Sequence, residues 1–306
     1  MTSSQPGPLP PPPRTGGWPW TAPAESAVPR FPDAPRITVV TPSLNQGVFI
    51  EAALRSVLLQ DYPNLEYLVF DGGSIDGAAD VVRRYAPWLT YHQIAPDRGQ
   101  SSAINQGFAR ATGEILAWLN SDDRYLPGAL WRVAAAARRD PDAVAWVGSV
   151  RSVTAEGRLI FPKVPRNLTR EGLADWGHVA DFAQPGCFFS RMAFARAGPA
   201  DESLHYAFDV DLWIRLASQG RFVETEGFLA EETIHPAAKT FSQRGRSLAE
   251  LHLVQIRNGF HELALQRMAE ELQECELLRR GTLVERARWQ AAIAIRSLLE
   301  FVRAAR

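Results

Sequence analysis

The feature that most constrains this chain is a regular alternation of short apolar segments and helical patterns between residues 36 and 125. Between the apolar segments, apolar side chains recur three and four residues apart, which is the spacing of one helix face. Strands that alternate with helices pack into a mostly parallel sheet with right-handed crossovers. We therefore predict an α/β fold with helices on both sides of the sheet. The predicted strands cover residues 36–41, 65–70, 90–94 and 115–119.

Polar residues follow three of these strands at the point where each strand ends. The loops are Thr41–Asn45, Asp71–Asp76 and Asn120–Asp123. Because the carboxyl ends of parallel strands lie at one edge of a sheet, we expect these loops to converge on one crevice, where α/β proteins bind ligands. The last loop places Asp122 beside Asp123, and hard divalent cations prefer carboxylate oxygens. A metal site is one interpretation of this pair, and a cap on the following helix is the other.

The rest of the chain divides by composition. Residues 1–35 are rich in Pro, Gly, Ser and Ala, so we expect a disordered or polyproline arm there. We predict one large domain of strands and helices over residues 36–245 and a C-terminal helical extension over residues 246–306. In the second half of the domain we predict a hairpin around Glu156–Gly157, a short strand at 186–189, a helix over 209–218 and a final strand over 221–225.

The chain has 33 basic and 34 acidic residues, so its formal charge is −1. This balance argues against nucleic acid as a partner. Cys187 and Cys275 are too few and too far apart for a disulfide framework or a zinc site, so a reducing compartment is the default. No segment approaches the roughly 18 apolar residues of a membrane span, and the N-terminus lacks the apolar core of a signal peptide. We expect a cytoplasmic protein.

Five polar motifs follow one another along the chain. They are Thr41–Asn45, Asp71–Gly77, Asp97–Gln100 with Ala103, Asn105 and Gly107, Gly113–Ile115, and Asn120–Asp123. From about Arg36 to His235 this series resembles family 2 glycosyltransferases of the GT-A fold. Each motif alone is weakly specific, but five in the family's order and approximate spacing are strong. The resemblance implies a Rossmann-like sheet in which residues 36–125 bind a nucleotide sugar and residues 126–245 face the acceptor.

The resemblance assigns the donor nucleotide to residues at the strand ends. Asp71 matches the carboxylate that hydrogen-bonds the base, and a carboxylate accepts from a ring N–H more firmly than a neutral group does. A simple turn would explain Asp76 but not Asp71. Gly73 has no side chain that would block close approach. The implied donor-binding residues are Thr41, Pro42, Asn45, Asp71, Gly73, Gln100, Asn105, Ser121 and Asp122.

The acidic loop matches the family's Asp-x-Asp metal motif with one departure, because Asn120 stands at the first Asp position. The resemblance implies Mn²⁺ or Mg²⁺ as cofactor, held by Asp122, with Asp123 and His235 as further ligands. Diphosphate oxygens and waters can complete the shell around one carboxylate. The cation would act as a Lewis acid on the departing nucleoside diphosphate.

A second acidic motif stands at the start of the helix predicted over 209–218. Phe208 replaces the Glu of the family's Glu-Asp pair, and Asp209 keeps the carboxylate assigned as general base. Direct displacement at the anomeric carbon needs one base and inverts the configuration. Either Asp of this helix could instead be a carboxylate stabilised by the helix dipole, and Asp211 fits that role better. The resemblance places Gln184, Trp213 and Lys239 near the diphosphate or the acceptor.

We therefore predict an inverting, metal-dependent transferase that moves a hexosyl or related sugar from a nucleoside-diphosphate sugar to a glycan or lipid-linked acceptor, in bacterial cell-surface polysaccharide or glycolipid synthesis. The alternative is a GT-A protein without turnover that binds a nucleotide or a partner, because Asn120 and Phe208 depart from the family. No Gly-x-Gly-x-x-Gly follows the first strand, which argues against a dehydrogenase. The arginine-rich segment 279–306 either contacts anionic lipid at the inner face of the membrane or packs on the domain or a second subunit.

Overall fold

The structure is a computed structural model that describes residues 7–13, 16–21, 28–235 and 244–280. Its first half has the predicted alternation of strands and helices. The elements are β1 (Ile37–Ser43), α1 (Ile50–Leu58), β2 (Leu65–Asp71), α2 (Ala78–Tyr85), β3 (Tyr91–Ile94), α3 (Gln100–Arg110) and β4 (Ile115–Trp118). β1 pairs in parallel with β2 and β4, and β2 pairs in parallel with β3. The polar loops after β1, β2 and β4 therefore start at one edge of the sheet, as predicted.

The second half makes the sheet mixed. Its elements are β5 (Arg124–Tyr125), α4 (Ala129–Arg139), β6 (Ala145–Thr154), β7 (Leu159–Lys163), α5 (Arg170–Ala174), β8 (Cys187–Ser190), α6 (Arg191–Ala197), α7 (Phe208–Ala217) and β9 (Phe222–Ile234). β8 runs antiparallel to β4 and to β6, which joins the two halves, and β6 pairs in parallel with β9. The predicted hairpin is confirmed as the β6–β7 pair. Within the described residues the strand order is β3-β2-β1-β4-β8-β6-β9-β5, with β7 beside β6.

The strand predicted over 221–225 is much longer in the structure. β9 continues to Ile234 and pairs along the whole of β6, apart from register shifts next to Ser149. Its sequence is polar, with glutamates at 224, 226, 231 and 232, so no apolar alternation reveals it. Backbone pairing with β6 defines this strand rather than a local pattern. As a result His235 lies at the end of β9 instead of within a loop.

Helices cover both faces of the sheet, because side chains of adjacent strand residues point to opposite sides. Val39 packs with α1, α2 and α4 in one core, and Val40 packs with α3 and α7 in the other. α3 lies so close to β1 that a Cβ atom at Gly107 would come within 2.5 Å of Val40 Cγ1. This close packing brings Gln100, the first residue of α3, to the edge of the sheet where the polar loops start.

The described parts of the Pro-rich segment, for which the sequence predicts a disordered or polyproline arm, form hydrogen bonds with the domain. Trp18 Nε1 donates a hydrogen bond to Tyr125 O at 2.7 Å. Arg55, buried in α1, donates to the carbonyl oxygens of Pro10 at 2.8 Å and Pro19 at 3.1 Å. Proline has a carbonyl acceptor but no backbone N–H, so Pro10 and Pro19 accept from the buried Arg55 side chain and add no backbone donor of their own. The domain boundary at residue 35 stays a prediction.

The C-terminal extension packs on the domain through two helices, α8 (Arg244–Arg257) and α9 (His261–Arg280). The two helices contact each other, and α8 also packs against α7. Val254 of α8 and Ala264 of α9 are fully buried. Over the residues that the structure describes, no helix has the length and apolar character to cross a membrane. The arginine-rich segment beyond Arg280 lies outside the described residues, and its contact with lipid stays a prediction.

We expect deletion of residues 1–21 to destabilise the domain through Arg55. The deletion removes the Pro10 and Pro19 carbonyls and leaves Tyr85 Oη, 3.1 Å away, as an acceptor. A buried donor without its partner costs about 1–3 kcal/mol, and each kcal/mol lowers the melting temperature of a large domain by about 2–4 °C. Thermal unfolding followed by circular dichroism measures the change.

The matched control is the same deletion in an Arg55→Met background. With no guanidinium to satisfy, the deletion should lower the melting temperature by less, and the difference between backgrounds isolates the Arg55 contacts. An equal loss in both backgrounds would show that these hydrogen bonds do not stabilise the domain.

Candidate active site

A cavity of about 600 Å³ opens at the carboxyl ends of β1 and β4. Its lining includes the loops after β1, β3 and β4, together with residues of β7, α8 and the start of α7. The size lies within the range of about 300–1,000 Å³ that is typical of small-ligand sites. Its charged lining side chains are Asp97, Asp122, Asp123, Lys163, Asp209 and Glu232.

Asn120 is the centre of a hydrogen-bond network at the end of β4. Its Oδ1 accepts from Gln100 Nε2 at 2.7 Å, and its Nδ2 donates to Gln184 Oε1 at 3.2 Å and to Asp123 Oδ2 at 3.3 Å. Gln184 Nε2 donates in turn to Trp118 O at 2.9 Å. An aspartate at position 120 would have no N–H to donate and would add a negative charge beside Asp123. The departure from the acidic motif therefore has a structural basis, because the amide connects three loops.

Asp123 is buried and connects its loop to β9. Its Oδ1 accepts from the Thr233 N–H at 3.0 Å, while its Oδ2 accepts from Asn120. Burial raises the pKa of the Asp123 carboxyl well above its usual range, and the charges of Asp122 and Glu232 raise it further. Since both oxygens are already bound within the protein, these contacts favour an orienting role for Asp123 over the predicted role of metal ligand.

Asp122 and His235 face each other beside the cavity. Nε2 of His235 lies 3.1 Å from Asp122 Oδ2, and the imidazole stacks on the Phe49 ring with centroids 5.0 Å apart. Neighbouring ligand atoms around Mg²⁺ lie about 3 Å apart when each is about 2.1 Å from the metal. The pair therefore fits a cation whose other ligands are diphosphate oxygens and waters. Among the described residues no group of three or more His, Cys, Asp or Glu side chains could hold a metal ion.

Asp209 lies at the start of α7 and lines the same cavity. Its Oδ1 accepts from the Val210 N–H at 2.8 Å. Burial raises the pKa of Asp209 to about 6, while backbone N–H groups and the charge of Lys163 lower it and the charge of Glu250 raises it. A carboxyl group with this pKa is mostly ionised at neutral pH and basic enough to accept a proton. Asp209 is therefore suited to act as a general base.

Lys163, on β7, is a cavity residue that the sequence patterns do not identify. Its Nζ lies 3.2 Å from Glu232 Oε1 on β9. Alternate residues of a strand share one face, and Phe161 and Lys163 both line the cavity. The only sequence signal is rarity, because Lys163 and Lys239 are the two lysines of the chain. Lys239 itself lies outside the described residues.

Two other residues of α7 have structural roles. Asp211 Oδ2 accepts from Arg215 Nε at 2.8 Å, and its Oδ1 accepts from Asn258 Nδ2 at 3.1 Å, which fits a helix-stabilising carboxylate. Trp213 is fully buried and stacks on Trp118 with centroids 5.1 Å and ring planes 13° apart. The structure thus contradicts the prediction that Trp213 contacts the diphosphate or the acceptor, because its side chain points into the core.

The structure places only some of the predicted donor-binding residues on the cavity. Pro42, Gln100, Ser121 and Asp122 line it, and so does Gln184. Three other predicted side chains instead hydrogen-bond within the protein, which is why they do not reach the cavity wall. These pairs are Thr41 with Tyr67 at 2.9 Å, Asn45 with Ile75 at 3.0 Å and Asn105 with Ala200 at 2.9 Å.

Asp71 organises the loop after β2 instead of lining the cavity. Its Oδ1 accepts from the N–H groups of Gly73 at 3.1 Å and Ser74 at 2.8 Å, and its Oδ2 accepts from Ser74 Oγ at 2.7 Å. Gly73 has φ +88°, a left-handed conformation that favours glycine. A turn therefore accounts for Asp71 as well as for Asp76, whose carboxylate accepts from two backbone N–H groups.

The cavity lining is rich in aromatic side chains. Phe161, Trp176, Phe182, Tyr206 and Phe208 all line it. They come from distant parts of the chain and share no sequence spacing, so no pattern predicts the group. Aromatic walls with a few polar groups are typical of sites that bind organic ligands.

Residues 38–198, more than half of the 306 residues, match the family model described as glycosyl transferase family 2. An uncharacterized glycosyltransferase of Rickettsia typhi is 25% identical over 212 residues, which cover 68% of this chain and 66% of that protein. A putative teichuronic acid biosynthesis glycosyltransferase of Bacillus subtilis, TuaG, is 33% identical over 94 residues, covering 30% of this chain and 37% of that protein. The chain spans less than two thirds of the length of either relative.

Two solved structures are similar over most of the chain. The first is S. aureus TarS 1-349 in complex with UDP-GlcNAc, with a TM-score of 0.58, 17% identity and coverage of 83% of this chain and 78% of that chain. The second is the mannosyltransferase PcManGT from Pyrobaculum calidifontis in complex with GDP-Man and Mn²⁺, with a TM-score of 0.58, 22% identity and coverage of 86% and 81%. At these identities the likeness establishes the fold alone, and that fold is the predicted GT-A fold.

We expect Trp213 to matter for stability and not for binding. Trp213→Ala should lower the free energy of unfolding by about 3–5 kcal/mol, because it leaves a cavity in the core. Trp213→Phe should keep the fold and leave turnover unchanged. Tyr206→Ala is the comparison, since it truncates an aromatic residue of the cavity wall and should lower turnover with little effect on urea unfolding. A Trp213→Phe protein with full stability and reduced turnover would show that Trp213 has a direct role in the active site.

Proposed function

This chain belongs to glycosyl transferase family 2, and on that premise we propose that it transfers a sugar from a nucleoside-diphosphate sugar to an acceptor hydroxyl with inversion of configuration. The main support for this function is the position of two carboxylates in one cavity. Asp209, a carboxylate suited to act as a base, lines the same cavity as Asp122, whose carboxylate contacts His235. These groups supply the two functions that transfer needs, which are a base for the acceptor and a site for the leaving diphosphate.

In this proposal Asp209 is the general base. Its carboxylate takes the proton of the acceptor hydroxyl while the hydroxyl oxygen attacks the anomeric carbon from the face opposite the diphosphate. The bond between the anomeric carbon and the diphosphate oxygen breaks as the glycosidic bond forms, so the configuration inverts. The aromatic wall beside Asp209 would hold the acceptor glycan against the base.

Asp122 and His235 lie on the leaving-group side. They would hold Mn²⁺ or Mg²⁺, which when bound would stabilise the charge that develops on the departing diphosphate. Asn120 and Asp123 keep the Asp122 loop in place through their hydrogen bonds to Gln184 and to Thr233. The protein thus prepares the position of Asp122 before any substrate binds, which lowers the cost of ordering the site.

The proposed donor is a nucleotide sugar, and the proposed acceptor is a glycan or a lipid-linked glycan. In support, the similar solved structures are described in complex with UDP-GlcNAc and with GDP-Man. The name of one relative refers to teichuronic acid biosynthesis. We therefore place the chain in the synthesis of a bacterial cell-surface polysaccharide or glycolipid, at the cytoplasmic side of the membrane.

Release of nucleoside diphosphate from a panel of sugar nucleotides, with Mn²⁺ and with Mg²⁺, tests this function. Metal-dependent release from at least one donor, increased by an acceptor, is the expected result. Tight binding of a nucleotide without release from any donor would favour the alternative, a GT-A protein without turnover.

Asp209→Asn should reduce turnover by on the order of 10²-fold or more, because the amide cannot accept the acceptor's proton. The affinity for UDP or GDP, measured by calorimetry, should stay nearly unchanged. In the wild type, the rate should fall about tenfold for each pH unit below about 6, where Asp209 becomes protonated.

Asp211→Asn is the matched control, since it makes the same change two residues away on the same helix. It keeps Oδ1 as an acceptor for Asn258, so it should retain turnover at about room temperature. It should lose thermal stability, because it loses the Arg215 ion pair. If Asp209→Asn keeps its activity, the base is another residue.

Asp122→Asn and His235→Gln should each weaken Mn²⁺ binding at least about tenfold. Titration of Mn²⁺ followed by electron paramagnetic resonance, in the presence of UDP or GDP, measures this without turnover. Asp142→Asn, at an exposed position outside the cavity, should bind Mn²⁺ as the wild type does. If Asp122→Asn and His235→Gln both bind Mn²⁺ with unchanged affinity, these two residues are not the metal ligands.

A further inference from the structure

One carboxylate on α8 accepts hydrogen bonds from three consecutive backbone N–H groups ahead of α7. Glu250 Oε2 lies 2.9 Å from His205 N, 2.6 Å from Tyr206 N and 3.1 Å from Ala207 N. Ala207 is the cap residue from which α7 begins, two positions before Asp209. Backbone N–H groups at this end of a helix have no acceptor within the helix and carry partial positive charge. A carboxylate therefore holds this turn more firmly than a neutral acceptor would.

Two more contacts join the same part of the extension to this segment. Arg257 Nη1, at the end of α8, donates to Asp201 Oδ2 at 2.9 Å, and Asn258 Nδ2 donates to Asp211 Oδ1 at 3.1 Å. Residues 201–211 are therefore bound to the extension at three points: Asp201 at the start, residues 205–207 in the middle and Asp211 at the end. Asp209 lies inside the segment that is held in this way.

The held segment and α8 together form part of the cavity. His205, Tyr206 and Asp209 line the cavity from the segment, and Ser247 and Leu251 line it from α8. The charged groups that act on Asp209 come from two elements, because Lys163 on β7 lowers its pKa and Glu250 on α8 raises it. The buried Cys187 thiol on β8 also faces Asp209. Glu250 of α8 therefore contacts the segment that carries Asp209 and also raises the pKa of Asp209.

We propose that α8 belongs to the catalytic unit and that Glu250 is the positioning residue that holds Asp209 where it can take the acceptor's proton. This inference rests on the proposed function of Asp209. A general base must lie within about 2.6–3.2 Å of the proton donor, and a displacement of about 1 Å can cost about 10²-fold in rate. The helix assigned from sequence to a separate extension is then required for turnover.

The test compares Glu250→Ala, Glu250→Gln and Glu262→Ala, an exposed glutamate of α9, with the wild type and Asp209→Asn in the full chain. Two readouts are used: hydrogen exchange of the backbone amides 205–207, and release of UDP from UDP-GlcNAc and of GDP from GDP-mannose. Glu250→Ala should exchange at least about tenfold faster at these amides and lose about 10- to 100-fold in kcat, with the Kd for UDP and GDP unchanged. Glu262→Ala should match the wild type.

Glu250→Gln keeps an acceptor oxygen but removes the negative charge that raises the pKa of Asp209. It should lose less kcat than the alanine variant, and the acid limb of its pH profile should move to lower pH. A purely structural role would leave that limb in place. If Glu250→Ala does not fold, this nearly isosteric variant still tests the proposal through its kcat and its pH profile.

The outcomes separate this inference from the function on which it rests. Unchanged exchange and unchanged kcat in Glu250→Ala, while Asp209→Asn is inactive, would overturn the role of Glu250 alone. An Asp209→Asn protein that keeps its activity would overturn the assignment of the base and the role of Glu250 with it. Faster exchange together with reduced kcat and a shifted acid limb supports the proposal.

Discussion

The cavity depends on the pairing of β9 with β6. This pairing runs along the whole of β6 and brings the last residues of β9 to the carboxyl end of β4. Side chains alternate across a strand, so a slip of one residue would turn each of them to the opposite face of the sheet. The register therefore decides whether the acidic loop and the β6–β7 hairpin meet at one site. Three contacts depend on it: Glu232 with Lys163, Thr233 with Asp123, and His235 with Asp122.

Hydrogen bonds, more than basic side chains, compensate the negative charge at this cavity. Among its described lining residues, Lys163 is the only Lys or Arg, and it already contacts Glu232. Asn120 supplies N–H donors where a further carboxylate would add charge, and burial raises the pKa of Asp123. A diphosphate is itself anionic, so its binding beside these groups requires added positive charge. A divalent cation between Asp122 and His235 would provide it, which links the electrostatics of the cavity to the proposed chemistry.

Features that depend on neighbouring residues could be predicted from the sequence, and features that depend on contacts between distant residues could not. Apolar runs that end in polar residues are visible locally, so β1, β2 and β4 and the edge that they share were predictable. The burial of Trp213 and the hydrogen bonds of Asn105 depend on neighbours that only the folded chain provides. The same holds for Glu250, which lies 43 residues from the Ala207 amide that it binds. β9 has no apolar alternation, and its length follows from its pairing with β6.

We propose that this cavity carries out an inverting sugar transfer with a single base. The most direct measurement is the anomeric configuration of the product, determined by proton NMR on the glycoside formed from the donor that the protein turns over. A single displacement predicts a product whose anomeric configuration is opposite to that of the donor sugar. A product that retains the donor's configuration would contradict it, because one displacement at the anomeric carbon cannot retain configuration.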